Sequence, residues 1–212
     1  VRYDFYREVS AKFGANKIAL GHQANDNAES VLIHLLRGTG PRGLAGIPPV
    51  REGRIIRPLI DSTRADILKF LEKEGIEYVE DYSNLDPKYL RTRIRQELLP
   101  SLRDNFNPQL AWALNRLAII LREEEDFWSL QVENALGDLV LERTTQGLAL
   151  SVSGLTGLHP ALSRRVVRHA VLSLRGDLRR LSHDHVRAVL ELAQGPSPSG
   201  ERHLPHGVRV LR

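Results

Sequence analysis

Cysteine does not occur in this 212-residue chain, and neither does methionine. The first absence rules out a disulfide framework, a thiolate nucleophile and a cysteine-held zinc or iron–sulfur cluster. Apolar runs are short, and none approaches the ~18 consecutive residues that a membrane-spanning helix needs. No signal peptide is visible at the start. Together these absences fit a cytoplasmic protein. The chain opens on Val1-Arg2-Tyr3 without an initiator methionine, so it reads as a piece of a longer protein. Lysine disappears after Lys88, leaving arginine and histidine as the basic side chains of the second half. An arginine-rich surface suits an RNA backbone, and a biased genome composition would produce the same pattern.

What is present is ordinary globular material. Hydrophobic residues make up 42% of the chain, enough for a real core in one large domain or two small ones. The formal charge of +4 and the pI of about 9.6 allow an anionic partner such as RNA without demanding one.

One stretch organises the reading: Gly21-His22-Gln23-Ala24-Asn25-Asp26-Asn27-Ala28-Glu29-Ser30. Ile18-Ala19-Leu20 before it reads as the end of a buried strand. Val31, Leu32, Leu35 and Leu36 after it recur at helical spacing. His22 to Asn25 is therefore expected to be a strand-to-helix turn. In an open parallel sheet, ligands bind at the carboxyl ends of strands, where the next helix points its amides at the crevice. A histidine and two carboxylates at such a place suit a nucleotide together with a cationic nucleophile. The plainer alternative is capping, because Asp26 and Glu29 have capping-box spacing with Asp26 as a competent N-cap.

Taken in order, Phe5, Tyr6, Val9 and Phe13 predict a first helix over 3–13, and Lys17 to Leu20 a strand. The second helix is expected from about Asp26 to Leu36, with Gly38 as its stop. The loop from Arg37 to Gly43 is glycine-rich. It is either a surface turn, which composition favours, or a close approach to a phosphate. Arg54-Ile55-Ile56 predicts a strand, Ser62 or Thr63 the cap of a helix ended by Gly75, and Glu77-Tyr78-Val79 a further strand. Alternating strands and helices argue for an α/β layer with a parallel sheet. Leu90, Ile94 and Leu98 line one helical face, and Arg91 and Arg95, four apart, share another. Such a pair is either a solvated basic face or an anion site, since guanidinium matches phosphate geometry.

Pro100 and Asp104-Asn105-Phe106-Asn107-Pro108 look like a boundary. Beyond it, Trp112 to Leu130 reads as a long amphipathic helix interrupted by Glu123-Glu124-Glu125-Asp126. Leu139-Val140-Leu141 and Leu148-Ala149-Leu150 suggest a hairpin. Helices are expected from near Pro160 and around Val186 to Leu192, with a closing strand at Val208 to Leu211.

These blocks carry a family resemblance. Gly21-His22 with Asp26 and Glu29, Leu36-Arg37-Gly38-Thr39-Gly40 with Gly43-Leu44, and Ile56-Arg57-Pro58-Leu59 come first. Glu80-Asp81-Tyr82-Ser83-Asn84, and Tyr89-Leu90-Arg91-Thr92-Arg93-Ile94-Arg95 with Leu99-Pro100, follow in order. The chain resembles the tRNA(Ile)-lysidine synthetases, which are N-type ATP pyrophosphatases. The later half resembles their helical substrate domain more weakly, through Leu158-His159-Pro160 and Leu204-Pro205-His206-Gly207. The resemblance implies a partial Rossmann-like parallel sheet over residues 1–105, of the adenine-nucleotide α-hydrolase kind. It also implies a mostly helical tRNA-binding domain with a small β element over 106–212.

The implied activity joins L-lysine to C2 of the wobble cytidine of tRNA(Ile). ATP first adenylates the C2 oxygen with loss of pyrophosphate, and the lysine ε-amine then displaces AMP. By resemblance His22, Asp26 and Arg95 are catalytic, and Asn25, Glu29, Arg91 and Arg93 bind substrate. Arg2 and Arg37 lie at the nucleotide. The cofactors implied are ATP and Mg2+, with no protein ligand assigned to the metal. A homodimer is compatible with the family, and no membrane is involved. The sequence departs from the pattern at Gln23, where many members have a second histidine, at Asn25, where many have aspartate, and at Thr92, where asparagine is common. The family's Ser-Gly-Gly-x-Asp-Ser loop for ATP does not occur in these residues, so the expectation is that they do not bind ATP productively by themselves. Two rival readings are another tRNA-modifying ATP pyrophosphatase, such as a cysteine-using cytidine thiolase, and a non-catalytic RNA-binding module.

Overall fold

The computed structural model describes residues 2–79, 86, 88–145 and 147–212. The chain divides into two compact units, Val1–Glu125 and Asp126–Arg212.

In the first unit, helix α1 (Arg2–Lys12) leads to strand β1 (Ile18–Ala19) and helix α2 (Ala24–Leu36). The start of α2 corrects one expectation. The helix begins two residues before Asp26, and Gln23 is its N-cap. Asp26 occupies the third helical position, and its carboxylate accepts the Gln23 backbone N–H at 3.0 Å. A short helix α3 (Pro41–Leu44) precedes strands β2 (Val50–Arg51) and β3 (Ile55–Ile56). Both central residues of the β2–β3 turn have positive φ, 53° at Glu52 and 63° at Gly53. They are the central residues of the turn that the Arg54 N–H closes on the Arg51 carbonyl at 3.1 Å, within a three-residue connection, and a positive-φ pair of this kind matches the twist of the flanking strands. β1 pairs with β3 in parallel and β2 with β3 antiparallel, in the order β1-β3-β2. The expected parallel sheet is thus one parallel pair plus an antiparallel strand too short to have left a periodic signal.

Helix α4 (Arg64–Glu74) is capped by Thr63, and Gly75 ends it in the left-handed region at φ 64°. The strand expected at Glu77-Tyr78-Val79 does not form. Tyr78 is exposed and Val79 is 95% exposed, so among the described residues no neighbouring layer buries a strand face there. The Glu80-to-Asn84 block lies outside the described residues.

Helix α5 (Leu90–Arg93) continues without a break into a π turn (Ile94–Leu98) and helix α6 (Leu99–Asn105). Pro100 therefore does not end the helix. Its missing N–H falls in the first turn of α6, where the hydrogen-bond register is already changing and an amide is spared. Helix α7 (Leu110–Leu139) follows. The acidic run does not interrupt it, because Glu123, Glu124 and Asp126 simply face solvent. The core of this unit joins Ala28, Val31 and Leu32 of α2 to Ile94 of the π turn and to Leu114 and Ala118 of α7. Each buried valine, leucine or isoleucine there stabilises the packing by about 1.5–3 kcal/mol. This packing brings one face of α2 against the helix that carries the arginine pair.

The second unit contains strands β4 (Val140–Arg143) and β5 (Leu148–Leu150), paired antiparallel as the hairpin pattern predicts. Helices α8 (Val152–Gly157), α9 (Pro160–Arg175) and α10 (His183–Gln194) follow, with a final antiparallel pair of β6 (Glu201–His203) and β7 (Arg209–Leu211). Val166, Val167 and Val171 of α9 and Val186 and Val189 of α10 form its core with the end of α7. Helix α8 and strand β6 carried too few apolar residues to be read from the sequence. Among the described residues, no helix is long and apolar enough to cross a membrane.

Candidate active site

The first turns of α2 put Asp26 and Glu29 three residues apart on one helix face. Arg91 and Arg95, four apart, form the facing pair across α5 and the π turn. The two pairs interlock. Arg91 donates from Nε to Glu29 Oε2 at 2.8 Å and from Nη2 to Asp26 Oδ1 at 2.9 Å. Arg95 donates from Nε to Glu29 Oε1 at 2.6 Å, and from Nη2 to Glu29 Oε2 at 3.0 Å and Asp26 Oδ1 at 3.1 Å. The remaining oxygen, Asp26 Oδ2, takes the Gln23 N–H. The Glu29 side chain is 2% exposed and Asp26 14%, whereas Arg91 and Arg95 are 41% and 43% exposed. The acids thus lie at the floor of the cluster and the guanidiniums at its rim. The hydrogen bond to Glu29 drives the Arg95 pKa above its ordinary value, against the opposing effect of burial.

His22 stands in the same strand-to-helix turn, four residues before Asp26. Its Nδ1 accepts a hydrogen bond from Arg57 Nε at 3.3 Å. Arg57 is buried, and its Nη1 is anchored on the Pro48 carbonyl at 2.5 Å. A neutral His22 whose Nδ1 is an acceptor carries its proton on Nε2, so the other edge of the ring is a donor. Arg57 belongs to the Ile56-Arg57-Pro58-Leu59 block, yet sequence reasoning gave it no role. The one available signal was an arginine directly after a short apolar strand, between Ile56 and Pro58.

The other residues expected at the site are distributed differently. Asn25 Oδ1 accepts the Arg64 N–H at 2.9 Å and so caps the start of α4. The Arg93 guanidinium is exposed and lies 4.0 Å from Glu97. Arg37 is the C-cap of α2, about 16 Å along the axis from Asp26 at 1.5 Å per residue. The Arg2 side chain lies outside the described residues.

A polar clamp behind α2 was also missed. Asn27, almost fully buried, donates from Nδ2 to Asn115 Oδ1 at 2.7 Å and accepts the Ile47 N–H at 2.7 Å. Asn115 in turn donates to the carbonyls of Ala24 and Ala111. Gly46, at φ 69°, leaves room for this, because a Cβ there would sit 2.2 Å from Asn27 Oδ1. Nothing local marks a pair 88 residues apart.

The acids of the cluster do not fit a metal seat. Every carboxylate oxygen already accepts a guanidinium or backbone N–H, and among the described residues no group of three or more His, Cys, Asp or Glu could hold an ion.

A parallel strand pair opens into a helix bearing acids, with a histidine in the turn and arginines on the rim, and this stretch has counterparts among known proteins. Residues 1–102 match the family model described as the PP-loop domain. Residues 150–212 match a second model, described as the TilS substrate binding domain. Over its full length the chain is similar to proteins named tRNA(Ile)-lysidine synthase. It is 40% identical over 212 residues to the tRNA(Ile)-lysidine synthase of Geobacter sulfurreducens, covering all of this chain and 45% of that one. It is 38% identical to that of Solibacter usitatus, over 48% of the relative's length, and 37% identical to that of Salinispora tropica, over 63%. The chain thus spans about half the length of the first two of these curated relatives.

Proposed function

We propose that the protein carrying this chain ligates L-lysine to C2 of the wobble cytidine of tRNA(Ile), using ATP, in the cytoplasm. The observation that supports this reading best is the paired cluster of Asp26 and Glu29 with Arg91 and Arg95, in the helix that follows the His22 turn. Residues 1–105 carry the nucleotide and amine chemistry in this reading, and 106–212 engage the RNA.

Two half-reactions divide the work. In the first, the cytidine O2 attacks the α-phosphorus of ATP, an O–P bond forms, and the bond to pyrophosphate breaks. The negative charge that builds on the phosphate oxygens calls for fixed donors, and Arg95, Arg91 and the Nε2–H of His22 are suited to that task. Arg57, hydrogen-bonded to Nδ1, leaves Nε2 as the donor nitrogen of the neutral ring. In the second, the lysine ε-amine attacks C2, a C–N bond forms, and the C2–O bond breaks to release AMP. The amine must lose a proton, and Asp26 is the carboxylate proposed to hold it and accept that proton. Glu29 is too enclosed for proton transfer to a substrate and is assigned to positioning the two arginines. Magnesium, in this reading, travels on the nucleotide's own phosphates. A thiolase of the same class is disfavoured by the absence of cysteine.

Replacing Asp26 by Asn in the full-length protein tests the proposal. Lysine transfer to tRNA(Ile) transcripts should fall at least 100-fold while tRNA binding stays within twofold. Transfer that survives the substitution would leave Asp26 a helix cap and favour the RNA-binding-module reading.

A further inference from the structure

The charge cluster has a feature that the reaction scheme does not use. The acid proposed to receive a cationic amine is already neutralised. Two carboxylates face two guanidiniums, and all four carboxylate oxygens accept at least one hydrogen bond. An ammonium ion arriving at Asp26 meets no net negative charge, and the two half-exposed arginines stand between it and the buried acids. The same guanidiniums are the groups that an incoming phosphate would attract.

The two arginines are not equally placed. Arg91 sits in regular α-helix, while Arg95 sits in the π turn, where the Leu99 N–H reaches back to the Ile94 carbonyl. A π turn carries one more residue per hydrogen-bonded ring than an α turn, so a change of register there re-aims a side chain without unwinding the helix. The buried neighbours Ile94 and Thr92 anchor the backbone on either side of Arg93.

We propose that Arg95 is a switch arm that masks Asp26 and Glu29 until an anion draws it away, so that nucleotide must bind before the amine. This inference rests on the ligase reading above and adds an order to it. With Arg95 turned to phosphate, Asp26 and Glu29 face Arg91 alone. The floor of the site then carries a net charge of −1 and becomes attractive to a primary ammonium. The arrangement keeps free lysine out of an empty site and brings it in once a nucleotide is seated. Linkage requires the reciprocal effect, in which lysine tightens nucleotide binding by the same factor.

Equilibrium dialysis of labelled L-lysine against the full-length protein, with and without a non-hydrolysable ATP analogue, tests the order. The analogue should tighten lysine binding at least tenfold in the wild type. In Arg95→Gln, lysine should bind without the analogue nearly as tightly as it binds the loaded wild type, and coupling should fall below twofold. Arg95→Lys, which keeps the charge, should keep coupling of the same sign. Should Arg95→Gln fail to fold, the wild type still decides the matter. The Arg95 Nε–H resonance should shift with the analogue alone and stay in place with lysine alone. Lysine affinity unchanged by the analogue, coupling that survives in Arg95→Gln, or a resonance indifferent to the analogue would each overturn the switch and leave the ligase reading standing. No lysine binding under any condition would remove both.

Discussion

Arg95 grips Glu29 by both carboxylate oxygens, at 2.6 Å from Nε and 3.0 Å from Nη2, although the two residues lie 66 positions apart. The carboxylate is enclosed while the guanidinium reaches the rim, so the pair couples the interior of the unit to its surface. Removing one partner of a buried ion pair costs about 3–5 kcal/mol, a figure to be discounted here because both arginines are substantially exposed. Glu29→Gln should therefore lower stability by about 2 kcal/mol. A urea melt should show a lower midpoint with an unchanged slope. An unshifted midpoint would mean that Arg91 and Arg95 are held by something other than Glu29.

The second relationship to probe is that of Arg57 and His22. Lysine at position 57 keeps the charge but loses the planar fork that reaches the ring and the Pro48 carbonyl together. Outer partners that orient a functional histidine are commonly worth about 10–100-fold. In the full-length protein, Arg57→Lys should lower the rate of the proposed lysine transfer by about 10–100-fold while leaving tRNA affinity unchanged. Activity equal to the wild type would show that the His22 ring is oriented without Arg57.

A third prediction concerns pH and helix α4. The Thr63 hydroxyl and backbone N–H both donate to Asp66, which holds that carboxyl below its ordinary range. A pKa lower in the folded state than in the unfolded one contributes stability that is present above the ordinary carboxylate value. That contribution is lost as pH falls through the folded value. The protection of the α4 amides relative to their intrinsic exchange rates should therefore fall on acidification below about pH 4 in the wild type. In Asp66→Asn that protection should be lower at neutral pH and respond less to acid. Identical pH profiles for the two proteins would show that the cap is not coupled to the helix.

Much of the first unit was legible because its signals are local. The αL glycine at 75 and the threonine at 63 bound α4 through backbone and side-chain chemistry confined to a few residues. The strand-to-helix turn at His22 announced itself by a change from a short apolar run to helical spacing. β2 and β6 were missed because Val50-Arg51 and Glu201-Arg202-His203 carry no apolar run of the kind that marked β1 and β3. Glu77 to Val79 misled for a related reason, since β-prone residues form a strand only where a neighbouring layer waits. The start of α2 was placed two residues late because Asp26 caps equally well from the third helical position, by reaching back to Gln23.

The candidate site was legible as a set of residues and not as an arrangement. Sequence alone determined that acids sit three apart on α2 and arginines four apart on the later helix, since helical periodicity puts each pair on one face. Only the tertiary structure decided that these faces meet, that Glu29 lies beneath the arginines, and that Arg57 touches His22. The physical reason is that contacts spanning 35 to 69 residues depend on how α2 docks against Ile94 and Leu114, and spacing along a chain carries no information about docking.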